Sequence, residues 1–447
     1  LESSRFCNAV YIYTNLVGCE AGRIIYDGGS MIANCGKLLA QGKRFTYKKS
    51  LLLNTVIDLD VNTLNKVKDN LQNTLKEINK DSQINIPFKF PVKVTKNKNN
   101  NVCKWENSQN LKNEEFMRAV GLALYDYMRK SRSLGFVLSL SGGIDSGSIA
   151  VLIYYMVNTA LLELGETSFM ENFKFLFQPG EKTDKAKILK RILTCAYQSS
   201  SNSGKITFNA AKTLAETLGF TFYHFKINDL VSEYVELIEK NIGRKLSWER
   251  DDVTLQNIQA RVRGPSVWML ANINNALLLT TSNRSEAAVG YATMDGDTCG
   301  GLCPLGGIDK KFLIKWMHWV KGTGPEGLNP IPEIKLITDQ KPTAELRPAN
   351  NKQTDEDDLM PYNILDRIEK AFVREKKDPE DIYETLKDEF TDISGEQLKN
   401  YINKFLRLWK QNQWKRERYA PSFHVDDESL DPKSSCRYPI LSGTLKL

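Results

Sequence analysis

The rhythm of apolar and polar positions changes near residue 114. Before that point the apolar runs are short and broken by Gly and Asn, as in "AVYIYTNLVG" (9–18) and "SMIANCGKLLAQGKRF" (30–45). Such runs predict strands and turns. "LLNTVIDLDVNTL" (52–64) reads as a further strand. Residues 93–113, "KVTKNKNNNVCKWENSQNLKN", are rich in Lys and Asn and lack periodicity, so they predict a linker.

From Glu114 the pattern alternates between helices and strands. "EEFMRAVGLALYDYMRKS" places Phe116, Val120, Ala123 and Tyr127 on one helical face. "GFVLSL" (135–140) is a short unbroken apolar run, as expected of a buried parallel strand. A helix beginning near Ser146 follows. "RILTCAY" (191–197), "FTFYHFKI" (220–227) and "ALLLTTS" (276–282) are further strands. Between them lie "NAAKTLAETLG", ending at Gly219, then "NDLVSEYVELIEKNIG", capped by Asn228 or Asp229, and one long helix over about 253–276. Strands alternating with helices predict an α/β fold with a doubly wound parallel sheet. Beyond about residue 360 the chain reads as helical and highly charged.

With 447 residues the chain has room for two or three domains, and its 41% apolar and 26% charged content is ordinary for a globular protein. The longest apolar runs, such as Ile149–Val157, fall short of a membrane span, so no membrane is expected. Residue 1 is Leu and no basic-then-apolar leader follows, so a fragment or processed form is expected. The net charge of +7 suits an anionic substrate and equally an ordinary basic surface. Without a long Lys/Arg block, nucleic acid is not expected. The eight Cys are scattered. Cys299 and Cys303 form a CxxxC with no second pair, which argues against zinc and for reduced thiols in a cytoplasmic protein.

The chemistry centres on "LSLSGGIDSGS" (138–148). The loop lies where a parallel strand hands over to a helix, at the strand's carboxyl end, where such sheets bind ligands. Gly142 and Gly143 let backbone N–H groups approach phosphate oxygens, and the helix start adds partial positive charge. Ser141 and Ser146 supply hydroxyls. Asp145 repels phosphate unless a cation stands between them, which implies Mg²⁺. No Gly-Lys-Ser/Thr follows, so this is not a Walker A loop.

SGGIDS resembles the pyrophosphate-binding loop of the N-type ATP pyrophosphatases, which adenylate an oxygen and release pyrophosphate. Within that group, "LQNIQARVRG" (255–264) and "LLLTTSNRSEAAVGYATMDGDTCGGLCPLGGIDKKFL" (277–313) resemble NAD synthetases. So do "KPTAEL" (341–346) and "SFHVDDESLDPKSSCRYPILSG" (422–443), and the likeness runs over about 114–447. It implies an adenine nucleotide alpha-hydrolase-like fold and the amidation of deamido-NAD by way of an NAD-adenylate.

By this resemblance ATP lies against Ser139, Leu140, Ser141, Gly142, Gly143, Ile144, Asp145, Ser146, Thr281, Lys310 and Thr343, with Lys311 the alternative to Lys310. Asp145 and Glu286 hold the Mg²⁺. Deamido-NAD lies against Asn257, Arg261, Glu286, Tyr291, Ala292, Thr293, Met294 and Lys415. Asn257 and Arg261 are four apart and share a helix face; Arg263 points elsewhere. Met294 replaces the Lys of many bacterial relatives, so it carries no charge contact, and Gly301 replaces an acidic one. No catalytic nucleophile is expected.

Residues 1–92 resemble the last part of a nitrilase-type glutaminase domain, as precedes the synthetase in glutamine-dependent NAD synthetases. The Glu, Lys and Cys of that chemistry lie upstream of the matched segment, and Cys19 in "VGCEAG" does not match the nucleophile. Ammonia is then expected either free or from glutamine hydrolysed by a longer parent. The likeness also implies a homo-oligomer, a dimer or larger, built through the synthetase domain. The alternatives are another member of the loop class, such as a GMP synthetase or a tRNA-modifying enzyme, or a non-catalytic nucleotide-binding scaffold.

Overall fold

The computed structural model describes residues 1–20, 22–68, 86–87, 103–178, 180–181, 183–340, 346–347 and 354–441. The chain forms two compact units, Leu1–Gly18 with Tyr26–Leu111, and Cys19–Ile25 with Lys112–Leu447.

The first unit opens with helix α1 (Glu2–Phe6) and strand β1 (Val10–Thr14). β2 (Val17–Glu20) and β3 (Ile24–Asp27) pair as a two-stranded sheet. β4 (Ser30–Asn34) and β5 (Lys37–Gln41) follow, and β1, β4 and β5 form an antiparallel sheet in that order. The segment 52–64 contains no strand; its second half belongs to helix α2 (Leu59–Lys68). Asp58 accepts a hydrogen bond from the Asp60 N–H (3.0 Å) at the helix start, a local polar bond that overrides the alternating pattern. Within the expected linker, Lys104–Asn107 forms a 3₁₀ turn that buries Trp105.

The main stretch of the second unit opens on α3 (Leu111–Ser131), whose Phe116, Val120 and Ala123 are buried as the spacing predicts. β6 (Phe136–Ser139) leads into α4 (Ile144–Asn172), which starts two residues before Ser146 and is interrupted at Gly165. Then come α5 (Lys185–Ile192), β7 (Leu193–Ser199), α6 (Lys205–Thr217), β8 (Thr221–Lys226) and α7 (Asn228–Ile242). The predicted long helix is two, α8 (Trp248–Arg261) and α9 (Arg263–Asn274). Pro265 is the physical reason: its ring clashes with the carbonyl four residues back, at Arg261. β9 (Leu277–Leu279) completes a parallel sheet of order β8-β7-β6-β9. In register, Leu138 stands against Cys195 on one side and Leu279 on the other. Val137, Leu138, Cys195, Ala196 and Leu278 are at most 1% exposed, so both faces of the sheet are covered.

Among the described residues α4 alone is long and apolar enough to cross a membrane, and most of its apolar stretch is buried in the protein. The unbroken runs looked short because Asn158 and Thr159 punctuate them; the average over the helix does not. α4 is the core helix of this unit.

The remaining helices are α10 (Arg284–Val289), α11 (Lys310–Gly322), α12 (Lys335–Thr338), α13 (Asp355–Asp358), α14 (Tyr362–Val373), α15 (Pro379–Leu386), α16 (Gly395–Gln411) and α17 (Gln413–Arg416). α16 shows how sequence builds them. Ser394 caps it by accepting from the Gln397 N–H (3.2 Å), and Leu398, Ile402, Phe405, Leu406 and Trp409 form one buried stripe. That stripe packs with α14, α15 and the Ala287–Val289 end of α10 in one apolar cluster. All eight cysteines are free thiols, and Cys19, Cys195, Cys303 and Cys436 are buried.

Because Leu138 sits fully buried in a central strand, Leu138→Ala should destabilise the protein by about 2–5 kcal/mol. A urea midpoint shift with unchanged slope checks this; a midpoint equal to wild type refutes the packing.

Candidate functional site

The strand order places β7 and β8 on one side of β6 and β9 on the other, so the crossovers diverge between β6 and β9. A crevice opens there at the carboxyl ends of the strands. A cleft of about 530 Å³ occupies it, walled by the loop after β6, the end of β9 and residues of α8, α10 and α11.

The SGGIDS loop forms the floor. Gly143 precedes α4 without a side-chain cap, so the first N–H groups of a long helix are left for a ligand. Ser139, Ser141, Gly143, Ile144 and Asp145 line the cleft. Leu140 does not: it is fully buried, and its N–H donates to the Ala196 carbonyl (2.9 Å). Ser146 is also buried, and its hydroxyl accepts from the Ser141 N–H (3.1 Å), so it shapes the loop rather than offering itself to a ligand. Gly142 turns with φ +82°, and a Cβ there would stand 2.3 Å from the Thr207 carbonyl oxygen. Only glycine fits.

Three elements then bring charge together. Lys310, the first residue of α11, is 3% exposed, and its ammonium bonds the Asp145 carboxylate and reaches Glu286 at 3.4 Å. Lys311 lies outside; its N–H reaches Asp366. Asn283 caps α10 by accepting from the Glu286 N–H (3.0 Å), and its amide donates to Asp145 (3.0 Å). Asp309 caps α11 through the Phe312 N–H (2.7 Å). Burial pushes the Glu286 carboxyl up, with Lys310 opposing and Asp145 and Asp355 reinforcing. Burial also raises the Asp355 carboxyl. Asp145 and Glu286 thus share one ammonium, with Asp355 acting on it from further off, which leaves the site short of positive charge.

That shortage fits Mg²⁺. Two carboxylates with open space beside a phosphate-type loop match an ion that keeps waters and takes phosphate oxygens. Among the described residues no group of three or more His, Cys, Asp and Glu forms a metal cage, so the protein by itself supplies only part of a coordination shell.

The expected dinucleotide residues meet along one segment. Tyr291, Ala292, Thr293 and Asn257 line the cleft, and Thr293 donates to the Asn257 amide oxygen (2.9 Å). Arg261 is exposed outside the cleft and donates to the Met294 carbonyl (3.1 Å), while the Met294 side chain is buried. Arg263, expected to point away, lines the cleft instead, because α9 starts afresh after Arg261. Lys415 lines the cleft, but its ammonium is spent on the Gly290 (2.7 Å) and Ala292 (2.8 Å) carbonyls. Thr281 lines it at the end of β9. Thr343 lies outside the described residues.

The sequence reading missed Asn283, Asp297 and Asp355. Asn283 was findable, since Asn-Arg-Ser-Glu (283–286) is a capping-box pattern. Asp297 accepts from the Thr293 N–H (2.7 Å) and faces the cleft solvent, where the surrounding wall raises its carboxyl toward about 6. No local pattern marks Asp355, which only tertiary packing brings to Lys310.

The description "NAD synthase" fits the family model that matches residues 116–418. The chain belongs to the NAD synthase family. A putative glutamine-dependent NAD(+) synthetase of Schizosaccharomyces pombe is 29% identical over 95% of this chain and 63% of its own length. The glutamine-dependent NAD(+) synthetase of Thermotoga maritima is 31% identical over 83% and 56%. A crystal structure of such an enzyme from Cytophaga hutchinsonii superposes with TM-score 0.77 at 39% identity, covering 99% of this chain and 64% of that one. One from Acinetobacter baumannii, in complex with ADP, shares the fold at 22% identity and TM-score 0.50. The chain thus spans less than two thirds of these relatives. Like the NAD synthase structures it matches, it is a mixed α/β protein around a four-stranded parallel sheet.

Behind the family's cleft, Arg284 on α10 is 3% exposed and faces Glu369 (2.9 Å), Glu428 (2.8 Å), Asp426 (2.7 Å) and Asp309 (3.4 Å). Burial carries the Glu369 carboxyl from 4.5 up to about 8 despite Arg284. A carboxyl raised on folding favours the folded state while protonated, and that contribution is lost as pH climbs from about 4.5 to about 8. Glu369→Gln, which stays neutral, should shrink the stability decline over this window by an amount of the order of a few kcal/mol. Urea midpoints at about pH 5 and about pH 8 check this; equal slopes in variant and wild type refute it.

Proposed function

We propose that this chain carries a carbon–nitrogen ligase activity of NAD biosynthesis. ATP adenylates the nicotinate carboxylate of deamido-NAD, releasing pyrophosphate, and ammonia then displaces AMP to leave the amide of NAD. The observation that carries this reading is the meeting of Asp145, Glu286 and Lys310 beside the SGGIDS loop in a family-matched cleft. The names of the relatives, and the ADP of the Acinetobacter structure, support ATP as nucleotide and glutamine as ammonia source in the longer enzymes.

The strand order supports a doubly wound, adenine nucleotide alpha-hydrolase-like sheet, with ATP phosphates on the uncapped start of α4. Ser139, Ser141, Gly143, Thr281 and Lys310 face that space, and Gly142 and Ser146 hold its shape. Lys310 places positive charge where negative charge grows on the leaving pyrophosphate. Asp145 and Glu286 would hold a Mg²⁺, which would supply the further positive charge that the carboxylates leave wanting. Deamido-NAD takes the wall formed by Asn257, Tyr291, Ala292 and Thr293, with Arg263 a better-placed cation than Arg261. No side chain is required as nucleophile.

Residues 1–92, with a linker to 113, are read as the tail of a nitrilase-like glutaminase domain. Apolar side chains left exposed on α7 (Leu230, Tyr234, Leu237) and α9 (Met269, Ile273) support a homo-oligomer through the synthetase unit. Free thiols throughout suit a reducing compartment such as the cytoplasm.

The test supplies the chain with Mg²⁺-ATP and deamido-NAD, adds ammonium or glutamine, and quantifies NAD and pyrophosphate. Product with ammonium is expected, and Asp145→Asn and Glu286→Gln should each lower it about 100-fold or more while leaving the fold intact. Pyrophosphate release with xanthosine monophosphate instead would assign a GMP synthetase. No release with any acceptor by a folded chain would leave a nucleotide-binding scaffold.

A further inference from the structure

α10 is only six residues long, yet it carries Glu286. A helix this short has almost no internal hydrogen bonds, and its last carbonyls are orphaned. Here they are not left to water. Arg416 donates to the Ala288 carbonyl (2.8 Å) and reaches that of Ala287 (3.4 Å). Asn412 donates to the Val289 carbonyl (2.9 Å). Lys415 takes the next ones along, on Gly290 and Ala292. The backbone closes part of this end itself, the Tyr291 N–H donating to the Glu286 carbonyl (2.9 Å) and the Gly290 N–H to that of Ala287 (3.3 Å), and the short stretch 412–416 holds the Ala288 and Val289 carbonyls and the cleft-lining turn after them.

The clamp is costly, and that cost is the argument. Arg416 is 2% exposed, and among the described residues no carboxylate lies within ion-pairing distance of it. Burial lowers its guanidinium to about 10. It is stacked 4.0 Å from the Trp409 ring centre and anchored by Gln413 (2.9 Å). A buried guanidinium satisfied only by neutral acceptors is an expensive way to fill a core. What it grips is the negative end of the helix dipole of α10, where a cation is favourable. The backbone at this join is also fitted closely: Gly290 has φ +67°, and a Cβ there would stand 2.3 Å from the Asn412 Cβ. At its other end α10 is fixed by Asn283, whose side chain ties it to Asp145. Glu286 thus sits on a helix held at one end by its own cap, tied to Asp145, and at the other by side chains from far along the chain.

We propose that Asn412 and Arg416 are positioning residues, which touch no reactant and set the place of Glu286 and of the 290–293 wall through the carbonyls of residues 287–289. The consequence for turnover rests on the synthetase reading above; the consequence for the backbone does not.

The experiment uses the full chain with Asn412→Ala, Arg416→Lys and Arg416→Met. Amide hydrogen exchange over 284–294 is followed beside that of β6, with thermal midpoints and with kcat and KM for ATP in the ammonium-dependent reaction. Expected for Asn412→Ala is faster exchange confined to 284–294, a kcat lowered about tenfold and a KM for ATP within about twofold of wild type. Arg416→Lys, which keeps a cation at the carbonyl end, should recover part of what Arg416→Met loses. Exchange that is unchanged over 284–294, or that rises equally in β6, overturns the proposal whether or not the wild-type chain makes NAD. Local exchange as expected with no product from wild type would sink the synthetase reading and leave the positioning claim standing.

Discussion

One buried ammonium organises this site. Lys310 is 3% exposed and stands between carboxylates that arrive on α4 and α10, while its own backbone starts α11. Removing a charge from water this thoroughly is tolerable only when opposite charges meet it with good geometry. Much of the surrounding architecture serves that requirement. Asn283 orients Asp145 and caps the helix of Glu286; Ser285 accepts from the Lys310 N–H (2.9 Å); Asp309 caps the helix of Lys310. The balance is incomplete, since Asp145 and Glu286, with Asp355 acting from further off, outnumber the single cation.

The C-terminal helices take on a second meaning in this light. They form an apolar cluster with the end of α10, and they send Arg416, Lys415 and Asn412 to its carbonyls. From the other side Glu369 and Glu428 meet Arg284 at its start. A six-residue helix with no lasting stability of its own is thereby held by charge, capping and packing together.

Much of this was legible from local pattern. An apolar run followed by SGGIDS and another apolar run marks a strand, a glycine turn and a helix start, and the constraint on Gly142 is local to that turn. The motif residues that the structure turns away from the cleft have a common cause. Ser146 and Leu140 belong to the same motif as Ser141, yet they face the core, because which side of a turn meets the cleft is decided by the sheet beneath it. Arg263 lines the cleft and Arg261 does not, because Pro265 resets the helix phase between them.

By itself the sequence determined the order of strands and helices in the second unit, the phosphate-type loop after its first strand and the family likeness. These depend on neighbours in the chain: periodicity, capping patterns and turn chemistry. Tertiary structure decided which of two adjacent lysines is buried with the carboxylates, and that Asp355 joins them from far along the chain. It also decided that residues 412–416 close the end of the helix bearing Glu286. Residues 412–416 lie more than a hundred positions from α10, and no local period encodes a contact made only when two finished elements pack.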